Sequence, residues 1–238
     1  MKIFDGLKTR HLEMEMMDDP SLDPARHAQA LRGLERINRW SASVRIVWPS
    51  IQALAREIQP KPLKVLDIAT GAGDLPIGLW RRGARSGFTL EIAGCDKSSV
   101  AVEHARQQAK RAAATVNFFE LDALTGEIPS GYDLILCSLF LHHLSSDEAL
   151  QLLRAMTQKA GRGILVNDLA RSRTGLMLAY CGSRLLSQSK VVHADAPQSV
   201  RAACTMEEVE ALAKQAGLSG FSVESRWPCR FLLTWRKP

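Results

Sequence analysis

The chain has 238 residues, 46% of them apolar and 24% charged. This ordinary globular composition excludes collagenous, coiled-coil and disordered classes, and a core of this size needs neither disulfides nor structural metal. The formal net charge of +6 comes from 31 basic and 25 acidic residues spread along the whole chain. Such a distribution reads as a solvated surface, with an anionic substrate nearby at most, and not as a nucleic-acid face.

The apolar stretch from Leu134 to Leu141 is interrupted by Ser138 and is far shorter than the roughly 18 residues that span a bilayer. The N-terminus has no secretory apolar run and is acidic where a transit peptide would be basic, so a cytoplasmic location is expected. Cys95, Cys137, Cys181, Cys204 and Cys229 are scattered without a C-x-x-C spacing and read as small buried hydrophobes.

Through residue 60 the pattern is helical. Leu31, Leu34 and Ile37 mark a first helix, and Val44, Val47, Trp48, Ile51, Leu54, Ala55 and Ile58 a second that Pro49 should start or kink. From Leu63 onward, short apolar runs alternate with helical segments, the pattern of a parallel sheet covered on both faces. Strands are predicted at 63–69, 89–95, 115–120, 132–138 and 162–168, with helices at 74–83, 98–113 and 146–159 between them. Ser145 with Glu148, and Thr205 with Glu208, have capping-box spacing. Residues 170–203 lack clear alternation and are predicted to hold an inserted helix and a mobile connection at 187–199. A helix from Thr205 to Ala216 and two extended runs, 219–225 and 229–236, complete the chain. The expected fold is α/β, a Rossmann-like, seven-stranded, doubly wound sheet with a C-terminal antiparallel hairpin. Residues 1–60 are expected to form a helical lid and 61–238 the main domain with its insertion.

The strongest chemical signal is Val65-Leu66-Asp67-Ile68-Ala69-Thr70-Gly71-Ala72-Gly73-Asp74, an apolar strand running into a small-residue turn before a helix. Small residues let backbone approach a ligand, and the helix supplies unpaired N–H groups. Asp96 ends the next predicted strand, where a carboxylate can accept both hydroxyls of a ribose. Asp122 follows the third, within reach of an adenine amino group. Either acid alone would more simply be a helix cap or loop residue; their joint spacing favours ligand contact. Pro76 occupies the third-glycine position of a dinucleotide fingerprint, and no Lys-Ser/Thr follows the glycines, so pyrophosphate and P-loop readings are disfavoured. Asp67 and Asp74 flank the turn and suit a cationic nucleoside with an amino acid tail, S-adenosylmethionine.

On these residues the stretch 63–168 resembles the class I S-adenosylmethionine-dependent methyltransferases, although Ala69 stands where a glycine is usual. The resemblance implies a cofactor site of Asp67, Ala69, Thr70, Gly71, Gly73, Asp96, Lys97, Asp122, Ala123, Ser138 and His143. Leu141-His142-His143-Leu144 resembles the segment after the fourth strand in ubiquinone and menaquinone C-methyltransferases. Arg10, Met17-Asp18-Asp19-Pro20-Ser21-Leu22-Asp23, Ala30-Leu31 and Arg36-Ile37-Asn38-Arg39 are similar to leaders of bacterial small-molecule methyltransferases acting on phenolic or polyketide-derived acceptors. Asn167-Asp168-Leu169-Ala170-Arg171-Ser172 and Ser199-Val200-Arg201 fit the same set.

A phenol acceptor needs deprotonation, which makes His143 and His142 candidate general bases, with packing beside the cofactor as the plainer role. His193, His11 and His27 lie in segments that can cover the site and read as surface residues. Arg10, Met17, Arg171 and Arg201 are the candidate acceptor contacts, and Asp168 can help orient an acidic acceptor. Cys137-Ser138-Leu139-Phe140 departs from the Pro-Pro-aromatic turn of base methyltransferases, and no magnesium set is recognisable, so neither nucleic acid nor metal is expected. The expected partner is a small-molecule acceptor, with a homodimer allowed. O-methylation leads, C-methylation of a quinone precursor is next, and a non-catalytic cofactor-binding regulatory protein stays open.

Overall fold

The computed structural model describes residues 7–13, 15–18, 23, 26, 29 and 42–238. The helix expected around Leu31 to Ile37, with His27 and most of the leader residues, lies outside these. Seven strands form one sheet in the order β3-β2-β1-β4-β5-β7-β6. Their ranges are β1 Leu63–Ile68, β2 Leu90–Asp96, β3 Val116–Glu120, β4 Leu134–Ser138, β5 Gly163–Leu169, β6 Ser222–Arg226 and β7 Arg230–Arg236. The first five run parallel, and β7 inserts antiparallel between β5 and β6. The central strands are buried on both faces, as their near-continuous Val/Ile/Leu runs require.

The described helices are α1 Ser43–Ile58, α2 Asp74–Arg85, α3 Ser99–Arg111, α4 Ser146–Lys159, α5 Arg173–Leu186, α6 Lys190–Ala202 and α7 Met206–Gln215. Both expected capping boxes form, at the starts of α4 and α7. Pro49 lies inside α1, which neither starts nor ends there. The helix buries Ile46, Val47, Trp48, Ile51, Leu54 and Ala55 against Val65, Leu134, Leu136, Leu165 and Leu232 of the sheet. At about 2 kcal/mol for each large side chain so buried, α1 is a layer of the main core. Residues 43–58 therefore do not form a separate lid, and the boundary expected near 60 crosses continuous packing.

Two further expectations are corrected. The segment 187–199 was predicted as a mobile connection, but α6 occupies most of it, with Pro197 inside the helix. Its Val191, Val192, Pro197 and Val200 are buried, so tertiary packing overrides the loop-like local composition. Cys95, Cys137 and Cys204 are buried as expected, whereas Cys181 is exposed and Cys229 half-buried.

Strand order reverses between β1 and β4, from which the chain proceeds outward in both directions. In open parallel sheets the crevice outside the carboxyl ends at such a switch point receives ligands. The glycine turn after β1, Asp96 at the end of β2 and Ser138 at the end of β4 all lie on that edge.

Candidate active site

The turn after β1 is held open in an unusual conformation. Ala69, Gly71 and Gly73 all have positive φ, at 53°, 52° and 79°. A side chain on Gly73 would come within 2.8 Å of Phe118 and 2.9 Å of Ala105, so this glycine lets the turn seat against α3 and β3. Gly71 faces open space, with nothing within 4 Å of where a Cβ would stand. Its N–H donates to Asp96 Oδ2 at 2.8 Å, while Ser98 N–H donates to Oδ1 at 3.0 Å. Leu121 N–H bonds the Asp96 carbonyl, and Asp122 Oδ1 accepts from Leu124 N–H at 2.9 Å. The turn and Asp96 are thus linked by a hydrogen bond, and Leu121 ties Asp96 to the segment that carries Asp122, at three successive strand ends. Lys97 beside them is exposed and Ala123 buried.

Thr70 Oγ1 donates to Asp67 Oδ2 at 2.7 Å; the other oxygen, Oδ1, is buried without a partner. Burial, opposed by the Thr70 hydrogen bond and aided by Asp96, pushes the Asp67 carboxyl up to about 8. Ala69 carries the strain of a left-handed residue that is not glycine, worth roughly 1–2 kcal/mol. Ala69→Gly should therefore raise stability by about 0.5–1 kcal/mol, the relief exceeding glycine's entropic cost. Urea unfolding checks this, and an unchanged or lower midpoint contradicts it.

Across the switch point, the 3-10 turn Leu141–His143 carries both candidate bases. His142 is buried and its Nδ1 lies 2.6 Å from Asp168 Oδ1; its backbone N–H donates to Asp168 Oδ2 at 3.2 Å. Burial works against the charged imidazole, but the Asp168 charge and hydrogen bond outweigh it, so the His142 pKa is raised. Burial likewise opposes the Asp168 carboxylate, and His142 more than compensates, so that group's pKa is lowered. His143 stacks at 4.2 Å between ring centroids and is exposed. Partial loss of water where the ring packs on the protein, then the neighbouring His142, push its pKa down. The buried thiols are pushed up by the same loss of water, Cys95 to about 12 and Cys204 to about 11, so neither is a thiolate nucleophile.

Sequence reasoning missed Glu15. Its carboxylate, His142 and His143 offer atoms within 4.8 Å of one another, a set that can hold a cation. Glu15 arrives on a strap, residues 7–13 and 15–17, that lies along α6. Met16 and Met17 N–H groups donate to Asp195 at 2.9 and 3.1 Å, and Ser199 Oγ donates to Glu15. No sequence signal placed the strap, because its contacts with α6 are 178–192 residues distant in the chain.

The four candidate acceptor contacts separate. Arg10 reaches the histidine turn, donating from Nη2 to Leu141 O at 2.9 Å and from Nε to Ala202 O at 2.5 Å. Met17 and Arg201 belong to the strap contact, where His11 N–H bonds the Arg201 carbonyl. Arg171 is buried, and its guanidinium binds both Glu208 oxygens, Ala203 O and Leu7 O, at 2.5–3.1 Å. The expectation of a substrate contact there is replaced by an anchor joining α7 to the strap. Arg171→Met should cost about 2–3 kcal/mol, since it strands a carboxylate and two carbonyls. A thermal melt should fall by several degrees while the KM for any acceptor is unchanged; the reverse pattern would restore the substrate role. His193, also expected at the surface, is half-buried with Nε2 2.7 Å from Ser187 O.

A family model described as a methyltransferase domain matches residues 65–163, which include the turn, Asp96, Asp122, Ser138 and the histidine pair. The chain carries a class I S-adenosylmethionine-dependent methyltransferase domain. This methyltransferase is 27% identical over 180 residues to the demethylmenaquinone methyltransferase of Thermus thermophilus, covering 71% of this chain and 80% of that one. It is 27% identical over 125 residues to a ubiquinone biosynthesis O-methyltransferase of Azoarcus sp., covering 52% of this chain and 51% of the relative, about half the latter's length. Among solved structures, the plantazolicin methyltransferase BpumL with bound S-adenosylhomocysteine superposes with a TM-score of 0.67 at 16% identity over 91% of both chains. At that identity the likeness is one of fold. No described helix of the methyltransferase is long and apolar enough to cross a membrane.

Proposed function

We propose that the protein transfers the methyl group of S-adenosylmethionine to an oxygen of a small phenolic or polyketide-derived acceptor. The observation that carries this reading is the buried His142–Asp168 pair at the end of β4. Either acceptor must give up a proton. A phenol loses its O–H proton before or during transfer, whereas a quinone precursor methylated on carbon loses its ring proton only afterwards, so a base poised at the acceptor favours oxygen. A base oriented by a carboxylate is the arrangement that task uses.

The residues present fit the nucleoside. Gly71 leaves open space in a left-handed turn, and Asp96 retains lone pairs for two hydroxyls beyond the amides it already accepts. Asp122 and Ala123 would flank the adenine, with Ala69, Thr70, Ser138 and His143 along the rest, and Asp67 bracing the turn through Thr70. When bound, the group supplies an electrophilic methyl on a sulfonium. Asp168 holds the His142 ring through Nδ1, which leaves Nε2 to take the acceptor proton. The strap and α6 cover that side and exclude water, so alignment and proton removal act together. Glu15, close to His142, stabilises the imidazolium that forms.

The relatives' acceptors suit a quinone-type phenol, and two demethylmenaquinone methyltransferases among them keep C-methylation as the second reading. The finer expectations of a cytoplasmic, nucleic-acid-independent enzyme, with a homodimer allowed, belong to the same proposal. Incubation with methyl-labelled S-adenosylmethionine and a panel of phenols and resorcinols tests it, with NMR assigning the new methyl to oxygen or carbon. O-methyl products support the proposal. Products labelled only on carbon replace it with the second reading, and cofactor binding without any product favours a regulatory protein.

A further inference from the structure

On the α1 side of the sheet, at its ligand edge, stands a polar row that the reading above does not use. Arg230 opens β7 and is 3% exposed; Asn167 on β5 is fully buried. Arg230 Nη1 donates to Ser43 Oγ at 3.0 Å, and Asn167 Nδ2 reaches the same oxygen at 3.5 Å and Ser138 Oγ at 2.8 Å. Both residues keep a buried polar atom without a partner, Arg230 Nε and Asn167 Oδ1. No ion pair involving Arg230 is found among the described residues. Asp168 contributes only its field, its oxygens being held by His142 and Leu169. An enclosed guanidinium without a counter-ion is unfavourable, and burial already weakens its hold on the proton, to about 10.

A fold retains such a group where an anion arrives to meet it. Residues alternate faces along β5, so Asn167 faces α1 while Asp168 faces His142. The row therefore flanks the histidine pair without belonging to it.

We infer that Arg230, Asn167 and Ser43 form a binding site for a carboxylate bearing a neighbouring hydrogen-bond donor, an α-amino acid or an ortho-hydroxy acid. The guanidinium Nε–H donates to the carboxylate, and the Asn167 carbonyl accepts from the adjacent ammonium or hydroxyl. Two sources carry this chemistry: the amino acid tail of the nucleoside, and an acidic phenol as acceptor. The inference rests on the methyltransferase reading for its ligands, not for its geometry.

Calorimetry on the full chain separates the sources, comparing wild type with Arg230→Met. S-adenosylhomocysteine, 5′-methylthioadenosine without the amino acid tail, and salicylate are the probes. If the site takes the nucleoside tail, the variant binds S-adenosylhomocysteine roughly 100-fold more weakly and 5′-methylthioadenosine as before. If it takes the acceptor, the same loss falls on salicylate alone. When neither S-adenosylhomocysteine nor salicylate distinguishes the folded variant from wild type, the inference is overturned. Asn167→Asp guards against a variant that fails to fold, because it places a carboxylate beside the guanidinium. The ligand-free melting temperature should rise by a few degrees, and carboxylate binding should fall by a similar factor. A lower melting temperature with undiminished binding overturns the inference. Wild type binding neither nucleoside would instead count against the methyltransferase reading, and the Asn167→Asp melt would still test the site.

Discussion

Asp96→Ala should weaken binding of S-adenosylhomocysteine by about 10²–10³-fold. A hydrogen bond to a charged acceptor contributes about 1.5–3 kcal/mol, and two ribose hydroxyls shared between one carboxylate's oxygens give about 3–4 kcal/mol together. At 1.4 kcal/mol per decade, that is two to three decades. The loss has a second part, because Asp96 Oδ2 accepts from Gly71 N–H and Oδ1 from Ser98 N–H. Without it the left-handed turn loses its only side-chain brace on the β2 side among the described residues. Asp96→Asn keeps the shape and one acceptor oxygen and should fall between wild type and Ala. Isothermal calorimetry decides: affinity within threefold of wild type for Asp96→Ala would remove the ribose role and, with it, the register of the whole nucleoside site.

The sheet and its edge were legible because parallel strands advertise themselves. β1 and β4 read as continuous Val/Ile/Leu runs, and the two capping boxes place helix starts by local chemistry. Observed bounds of the five parallel strands and β7 lie within two residues of those expected, and β6 begins three residues late. The clustering of the glycine turn, Asp96 and Asp122 along one sheet edge was equally legible, because they sit at strand ends and strand ends follow from periodicity. The surroundings of the histidine pair were not. Helix α6 owes its existence to a buried face and to Asp195 receiving two amides from the strap, whereas its own Ser, Asp and Pro favour a loop. The His142–Asp168 pair joins residues 26 apart through a strand register that sequence does not print. Arg230 was hidden in an extended run whose pattern suggested only hairpin. In each case, contacts distant in sequence set the role, and a single sequence carries no record of them.

His142→Ala should lower kcat by about 10²–10⁴-fold with little change in S-adenosylhomocysteine affinity, the range expected for loss of a general base. Asp168→Asn should cost less in rate but change the pH profile in a way that packing loss cannot imitate. With Asp168 ionised, the His142 pKa is raised, so wild-type activity rises with pH through a value above 6.5 as Nε2 is freed. Removing the carboxylate charge leaves only the smaller pull of Glu15 against burial and lowers that pKa, so the acid limb must move to lower pH while the plateau falls. Stability follows the opposite sign. A histidine whose folded pKa exceeds its unfolded value stabilises fully below pH 6.5 and loses that contribution as pH rises through the folded pKa. Asp168, with its pKa lowered, contributes above about pH 3.8 and loses its share as pH falls through the folded value. The pair is therefore strongest between these limits, where the imidazolium and carboxylate coexist. Activity that depends on a His142 base is expected at the upper edge of that window, where the proton leaves His142. A rate profile of kcat against pH, with urea unfolding at matched pH, measures both. An acid limb in the same place for Asp168→Asn and wild type would show that His142 is not the titrating base, and the acceptor proton would then leave to another group or to solvent.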